Sequence, residues 1–196
     1  MAGGSTMAIV PVAQRMTAEE FVALEPPQRA ERWELVDGEV VVHQLAALHG
    51  EMNGNALFAL ATWTRAGPSR GHAIVPIDVK LDEHNVFAPD VLWYADGRAP
   101  DPHSEPPYAL PDIAVEVRAP STWRYDVGAK KAAYEREGLP ELWLVDNPAH
   151  TVLVFRRSGA DVPAFDVAAE LEEGDELTSP LLPGFALPIA EVFRLP

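Results

Sequence analysis

Two acidic residues stand inside apolar runs of the sequence. Glu116 interrupts the run Ile113-Ala114-Val115-Glu116-Val117, and Asp90 directly precedes Val91-Leu92-Trp93. An ionised carboxylate in such surroundings costs several kcal/mol unless a cation or hydrogen-bond donors compensate it. Neighbouring strands lie about 4.8 Å apart, so acids on adjacent strands can reach one point. Two carboxylates at so short a separation indicate either a shared proton or a divalent cation between them.

A lysine follows these acids at a suggestive spacing. Lys130 lies one helical turn from both Asp126 and Tyr134, so the three residues are predicted to share one face of a helix. A helix that connects two strands packs on their sheet, so this face of the helix would be directed towards the acids. The alternatives are structural: Arg118 or backbone amides satisfy the buried acids, and Lys130 is a surface ion-pair partner of Asp126.

The N-terminal part predicts a helix, a hairpin and a longer helix. Thr17 and Glu20 have the spacing of a capping box at a helix start. Asp37-Gly38, between two apolar runs, is a strong signal for a two-residue hairpin turn. Apolar residues at helical spacing from about His49 to Arg65 predict the long helix.

The part that carries the acids predicts strands and one crossover helix. His72 to Leu81 and Val86 to Tyr94 predict the two strands of a hairpin, and Ala95 to Pro111 predicts a loop. Two further strands flank a helix, an order that implies a parallel pair with a right-handed crossover. These elements are the strand Asp112 to Val117, a helix that ends near Glu137, and the strand Glu141 to Asp146; short strands with turns follow from Val162 onward.

A set of short motifs extends over nearly the whole chain, from Thr17 to Phe193. They are Glu34-Leu35-Val36-Asp37-Gly38-Glu39, His49, Pro89-Asp90, Glu116-Val117-Arg118-Ala119-Pro120-Ser121-Thr122, Asp126 with Lys130 and Tyr134, Gly138, and Glu141-Leu142-Trp143-Leu144-Val145-Asp146. This set resembles the Uma-type family, a bacterial family of restriction-endonuclease-like proteins. The resemblance implies the PD-(D/E)xK fold: an α/β domain whose mixed sheet is flanked by helices, with an N-terminal β-hairpin and extra C-terminal strands.

The resemblance also implies a metal site. Asp90, Glu116 and the carbonyl of Val117 would hold Mg²⁺ (or Mn²⁺), with Lys130 orienting or activating water. Glu34 would be a further ligand; the alternative is an ordinary acid of the hairpin that faces water. The implied reaction is phosphodiester hydrolysis, in which the cation polarises the phosphoryl oxygen and lowers the pKa of its water.

One position departs from the superfamily pattern. The superfamily places its lysine two residues after the glutamate, where this chain has Arg118, and arginine cannot act as a general base. Lys130, on the next helix, would replace that lysine, while Arg118 would clamp a phosphate or reach solvent.

His49 would contact substrate, cap the long helix or pack. A cluster of basic residues would receive phosphate, with substrate-binding roles for Arg118, Arg124 and Lys131; its members are Arg118, Arg124, Lys130, Lys131 and Arg136.

The charge of the chain limits the function classes. The net charge is −15, which disfavours tight, sequence-blind binding of DNA, because such affinity comes from clustered Lys and Arg. Three hypotheses follow: a Mg²⁺-dependent endonuclease acting on DNA, a catalytically inactive binding or assembly module with protein partners, and a metal-dependent enzyme on another substrate. The charge favours the second and third, and the acid pair with Lys130 favours the first.

Composition predicts the compartment and the domain organisation. The chain of 196 residues has no cysteine, which fits a reducing compartment, so we expect a cytoplasmic protein. No run approaches the roughly 20 apolar residues that span a bilayer, so no membrane association is expected. Residues 1–15 are predicted to be a flexible leader, and residues 16–196 a single domain. Nucleases of this fold commonly dimerise, so a homodimer is expected by analogy.

Overall fold

The computed structural model describes residues 15–24, 32–43 and 46–196. Apart from Arg15, the predicted leader lies outside these ranges. The described residues form one mixed α/β arrangement of short elements. In chain order these are α1 (Ala18–Val22), β1 (Arg32–Val36), β2 (Glu39–His43), α2 (Ala47–Arg65), β3 (His72–Ile74), β4 (Val79–Asp82), β5 (Asn85–Phe87), β6 (Val91–Tyr94), β7 (Ile113–Val117), α3 (Trp123–Tyr125), a π-helical turn (Asp126–Lys130), α4 (Lys131–Arg136), β8 (Glu141–Asp146), β9 (Thr151–Arg156), β10 (Val167–Leu171), β11 (Glu176–Leu177), β12 (Leu187–Pro188) and α5 (Ile189–Val192).

The larger sheet has six strands in the order β10-β9-β8-β7-β6-β3. Strands β7 and β8 are parallel, and the other neighbours are antiparallel. The connection between β7 and β8 runs through α3, the π-helical turn and α4, so the predicted parallel pair with a helical crossover is confirmed. The predicted extra strands near the C-terminus are confirmed as β10, β11 and β12.

A smaller antiparallel sheet has the order β2-β1-β5-β4. Its first two strands form the predicted hairpin, in which Val36 pairs with Glu39. The turn residues Asp37 and Gly38 have φ values of 49° and 78°, which is the pattern of a type I′ turn. Glycine is also required for space, because a Cβ at Gly38 would lie 2.5 Å from Cβ of Arg15.

The two long strands predicted at His72 to Leu81 and Val86 to Tyr94 are wrong as continuous elements. Each is divided in two, and its halves belong to different sheets. Pro76 separates β3 from β4, and Pro89 separates β5 from β6. Proline has no N–H to donate to a strand ladder, so both strands end there and the chain passes from one sheet to the other. Asp90 therefore lies at the junction of the two sheets.

Both faces of the larger sheet are covered. Helix α2 packs Met52, Ala56 and Leu60 against the face formed by alternate residues of β6 and β7, including Val91 and Val115. The opposite face, on which Ala114, Leu142 and Leu144 lie, packs against Ala133 and Tyr134 of α4 and against Val36 and Phe87 of the smaller sheet. Glu116 belongs to this second face by alternation along β7. The fold thus encloses Glu116 between the larger sheet, α4 and the smaller sheet.

Two smaller sequence predictions about helices are also confirmed. Thr17 and Glu20 form a reciprocal capping box at the start of α1. Helix α4 ends at Arg136, next to the predicted end near Glu137, and Gly138 then has a φ of 87°. Among the helices of the described ranges, none combines the length and the apolar character needed to cross a membrane.

Candidate active site

A fully buried lysine lies between three carboxylates at the centre of the fold. Nζ of Lys130 is 3.0 Å from both carboxylate oxygens of Glu34. It is 2.8 Å from Oε1 of Glu116 and 3.2 Å from Oδ1 of Asp126. All four side chains are buried. Because they come from β1, β7 and the π-helical turn, the ammonium joins the two sheets and the crossover helix.

The π-helical turn places Lys130 and Tyr134 towards the sheet. The turn Asp126–Lys130 lies within an otherwise α-helical crossover, and single π-helical turns of this kind are frequent at functional sites. The Tyr134 hydroxyl donates to Oε1 of Glu116 at 2.7 Å, and the Phe87 ring lies 5.4 Å from Nζ of Lys130. Asp126, Lys130 and Tyr134 therefore share one buried face, as their spacing predicted.

Asp90 is held at the edge of the same cluster. Its Oδ1 accepts from Nη1 of Arg32 at 2.7 Å, and its Oδ2 accepts from the backbone N–H of Val117 at 2.7 Å. Nε2 of His49, in the first turn of α2, lies 3.2 Å from Oδ2. Asp90 directly precedes Val91, which pairs with Val115, so the register of β6 and β7 brings Asp90 beside Glu116.

Glu34 uses both carboxylate oxygens inside the protein. Oε1 accepts from the backbone N–H of Ala88 at 2.7 Å, at the point where Pro89 interrupts the strand. Oε2 contacts Nε2 of His43, and both oxygens contact Lys130. The alternative that Glu34 faces water is therefore wrong, because the hairpin directs this side chain into the interior.

The cluster contains more negative than positive charge. Four buried carboxylates, those of Asp90, Glu34, Glu116 and Asp126, face the permanently charged groups of Lys130 and Arg32. One ammonium cannot neutralise three carboxylates. The acids therefore divide into those whose pKa is lowered and those whose pKa is raised. Two negative charges remain to be balanced by protons or by a cation.

The pKa directions follow this division. Burial opposes ionisation of Glu34, but Lys130 and His43 outweigh it and hold its pKa well below the usual range. For Asp90, His49 and Arg32 likewise outweigh burial and lower the pKa. Burial raises the pKa of Glu116 to about 8 against the effect of Lys130, with the charge of Glu34 adding to the rise. Burial raises the pKa of Asp126 in the same way.

The chemistry of these donors fits a divalent cation. The cluster holds more carboxylates than permanently charged cations, and carboxylate oxygens are the preferred ligands of such an ion. Among the described residues, no three or more His, Cys, Asp or Glu side chains are arranged so that they could together hold a metal ion. Mg²⁺ does not require such a set, because it commonly binds through one or two carboxylates and completes its shell with water and substrate phosphate. Asp90 and Glu116, on neighbouring strands, are the candidate pair for such a site.

Comparison with known proteins places the chain in a family. The family model described as "Putative restriction endonuclease", named Uma2, matches residues 18–190. The chain belongs to the Uma2 family. No curated protein matches it. A crystal structure of a "putative nuclease belonging to DUF820" from Anabaena variabilis ATCC 29413 is similar in fold, with a TM-score of 0.74 and 18% identity over 91% of this chain and 97% of that chain.

The basic residues predicted to form a phosphate-binding cluster are dispersed in this Uma2 protein. Lys130 is buried, and Lys131 lies 4.6 Å from the ring of Phe155, away from the acids. Arg124 hydrogen-bonds to its neighbour Tyr125, and Arg136 pairs with Asp82. The prediction of one basic cluster is wrong, because residues close in sequence point in different directions around a helix.

Arg118 remains near the acids but has a partner of its own. Its Nη1 donates to both oxygens of Asp146, at 2.8 and 2.9 Å, and its guanidinium lies 5.3 Å from the Trp123 ring. The structural alternative in which Arg118 satisfies Asp90 and Glu116 is therefore not what is observed. Arg32, Lys130, His49 and Tyr134 make those contacts.

Two residues of the Uma2 site were not predicted from the sequence. Arg32 and His43 are paired directly across the hairpin, and each contacts an acid of the cluster. The signal was present in the Asp37-Gly38 turn, because a two-residue turn fixes the register of both strands. That register places Arg32 and His43 on the same face as Glu34.

Proposed function

We propose that this Uma2 protein is a Mg²⁺- or Mn²⁺-dependent endonuclease that hydrolyses phosphodiester bonds of DNA. The observation that carries the proposal is the burial of Asp90 and Glu116 on neighbouring strands, with the ammonium of Lys130 in contact with Glu116. The family match and the nuclease-like fold support the same reaction class. Phosphodiester hydrolysis needs stabilisation of negative charge on phosphoryl oxygens, and this cluster gathers cations and cation ligands at one point.

In this proposal Asp90, Glu116 and the Val117 carbonyl would hold the cation. The N–H of Val117 donates to Asp90, and the N–H and C=O of one residue in a strand point towards the same neighbour. The Val117 carbonyl is therefore directed to the edge where Asp90 lies. Glu34 instead anchors Lys130, since its oxygens are engaged by Lys130, His43 and Ala88. A cation bound there would supply polarisation of the phosphoryl oxygen and a lower pKa for its water.

The role of Lys130 is electrostatic. Burial alone would lower its pKa, but Glu116, Glu34 and Asp126 raise the pKa well above the usual range. An ammonium that does not release its proton cannot act as a general base. Lys130 therefore fixes the orientation of Glu116 and adds positive charge at the site.

The experiment that tests the proposal is nicking of supercoiled plasmid with Mg²⁺ or Mn²⁺, with an excess of EDTA as the control.

Stability is expected to depend on pH and Mg²⁺ together. The Glu116 pKa rises from 4.5 to about 8 on folding, so the folded protein keeps a proton that the unfolded chain releases. In EDTA, stability should therefore fall as the pH rises through this window. Mg²⁺ replaces the proton, so it should raise the melting temperature more above pH 8 than at mildly acidic pH.

Glu116→Gln should remove the effect of Mg²⁺ on the melting temperature. Glu141→Gln is the matched control, because Glu141 is also buried with a raised pKa but contacts Ser179 and Trp143 outside the site. It should retain the full Mg²⁺ response. An equal response in wild type and Glu116→Gln would place the cation elsewhere.

A catalytically inactive binding module is the second candidate. The observation that favours it is that each of the four acids already contacts a cationic side chain of the chain itself, Arg32 or Lys130. Buried ionic networks can serve structure alone. In this reading Mg²⁺ neither shifts the melting temperature nor supports cleavage, and the acidic surface binds protein partners.

We also propose a homodimer, formed through α2. Phe58 on this helix is 74% exposed, and it borders a groove of about 400 Å³ that Phe185 and Leu187 also line. Light scattering after size exclusion should give the mass of a dimer for wild type and of a monomer for Phe58→Asp. Val75→Asp is the control, because Val75 is 55% exposed and does not line the groove. A monomeric wild type would contradict the proposal.

A further inference from the structure

A cavity of about 310 Å³ opens beside Asp90. His49 forms part of its wall, and Nε2 of His49 is 3.2 Å from Oδ2 of Asp90. Arg118 forms another part. It follows Val117, whose N–H donates to the same carboxylate oxygen. The cavity wall therefore includes a residue that contacts Asp90 and the residue that follows Val117, and Asp90 and Val117 are both proposed cation ligands.

The rest of the lining is largely apolar. The volume lies near the lower end of the range of about 300–1,000 Å³ that is common for ligand pockets. A small apolar pocket with a few polar groups fixes the orientation of a flat ligand. Its apolar lining residues include Leu48, Ala119, Pro120 and Pro148.

The guanidinium of Arg118 is oriented but retains donors. Both of its contacts to Asp146 use Nη1, whereas a guanidinium has five N–H donors in one plane. Trp123 lies 5.3 Å from this guanidinium, which adds to its orientation. Nucleobases stack on imidazole rings and guanidinium planes and hydrogen-bond through their edges. Arg118 brings its remaining N–H donors to the wall of this cavity, and the imidazole of His49 forms another part of the wall.

The charge distribution argues against an intact duplex. The net charge is −15, and Lys130 of the predicted basic cluster is buried while Arg136 pairs with Asp82, so this cluster does not provide a path for a phosphate backbone. Recognition must then depend on local contacts near the site. A base can enter a pocket only when it is unpaired or turned out of the helix.

We propose that this cavity, hereafter the base pocket, receives the base of an unpaired nucleotide next to the phosphate that is cut. The preferred substrate is then single-stranded or locally unpaired DNA. This inference rests on the proposed nuclease function for its reaction, but the binding step can be measured without cleavage.

The test compares the affinities of two matched variants for a fluorescein-labelled single-stranded DNA, measured by anisotropy with Ca²⁺ replacing Mg²⁺. Leu48→Glu places a carboxylate in the base pocket. Ala47→Glu places the same charge on the adjacent exposed residue, which does not line the pocket. Both lie in the first turn of α2, where an acidic residue favours the helix, so both should fold. Leu48→Glu should weaken binding about tenfold, and Ala47→Glu by less than about twofold.

The same probe annealed to its complement should bind about tenfold more weakly than the single strand. Equal binding of the two forms, or equal losses in both variants, would overturn the base pocket. If cleavage occurs while Leu48→Glu binds like wild type, the pocket fails and the nuclease stands. If no substrate is cut but the strand preference and the Leu48 effect persist, the nuclease fails and the base pocket stands.

Discussion

Asp90→Ala is expected to abolish Mg²⁺-dependent nicking of plasmid DNA, with a loss of roughly 10²–10³-fold or more. Asp90 is the proposed cation ligand at the junction of the two sheets, and its carboxylate also orders Arg32 and His49. Its removal takes away a ligand and leaves Arg32 without its partner. The measurement is the initial rate of conversion of supercoiled to nicked plasmid at saturating Mg²⁺.

Asp90→Asn and Asp112→Asn separate a catalytic loss from a folding defect. Asn keeps the shape of the side chain but not its charge, so Asp90→Asn should be as inactive as Asp90→Ala. Asp112 is also a buried acid, but it binds Arg98 and the N–H of Ala95 at the other end of β7. Asp112→Asn should retain nicking within a few-fold of wild type. Equal nicking by wild type and both Asp90 variants would show that the activity belongs to a contaminant.

Lys130→Met is expected to lower the free energy of unfolding by about 3–5 kcal/mol. The substitution keeps most of the volume of the side chain but leaves Glu34, Glu116 and Asp126 buried without their shared cation. Breaking one partner of a buried network costs much more than an exposed ion pair contributes, because the remaining charges stay desolvated. Urea denaturation followed by tryptophan fluorescence measures the change.

Lys131→Met is the matched control for this prediction. Lys131 is the next residue along the chain, is partly exposed and lies over the rings of Phe155 and Phe165. Loss of such a cation–π contact should cost about 1 kcal/mol or less. If the two variants are destabilised equally, Lys130 does not hold the cluster together.

The hairpin and the crossover could be predicted because their signals are local. Asp37-Gly38 specifies a turn by its backbone conformation, and the spacing of Asp126, Lys130 and Tyr134 specifies a helix face. The division of the strands at Pro76 and Pro89 could also have been read locally, but the apolar runs on either side masked it. The position of Asp90 depends on that division.

The pairing of cationic side chains with the acids of the site could not be predicted in the same way. Which cation meets which acid depends on how the two sheets pack, and neither Arg32 nor His43 is close in sequence to Asp90. The basic cluster was predicted from nearness along the chain, whereas Lys131 and Arg136 point away from Lys130. Acids inside apolar runs indicate that their charge must be compensated, but only the tertiary structure identifies the groups that compensate it.

The most direct test of the central claim is anomalous diffraction from a crystal soaked in Mn²⁺. We predict a peak at about 2.2 Å from carboxylate oxygens of both Asp90 and Glu116, close to the Val117 carbonyl, with Lys130 still contacting Glu34. Ordered density for these side chains with no Mn²⁺ peak between Asp90 and Glu116 would contradict the proposed cation site. The cluster would then be a structural ion network.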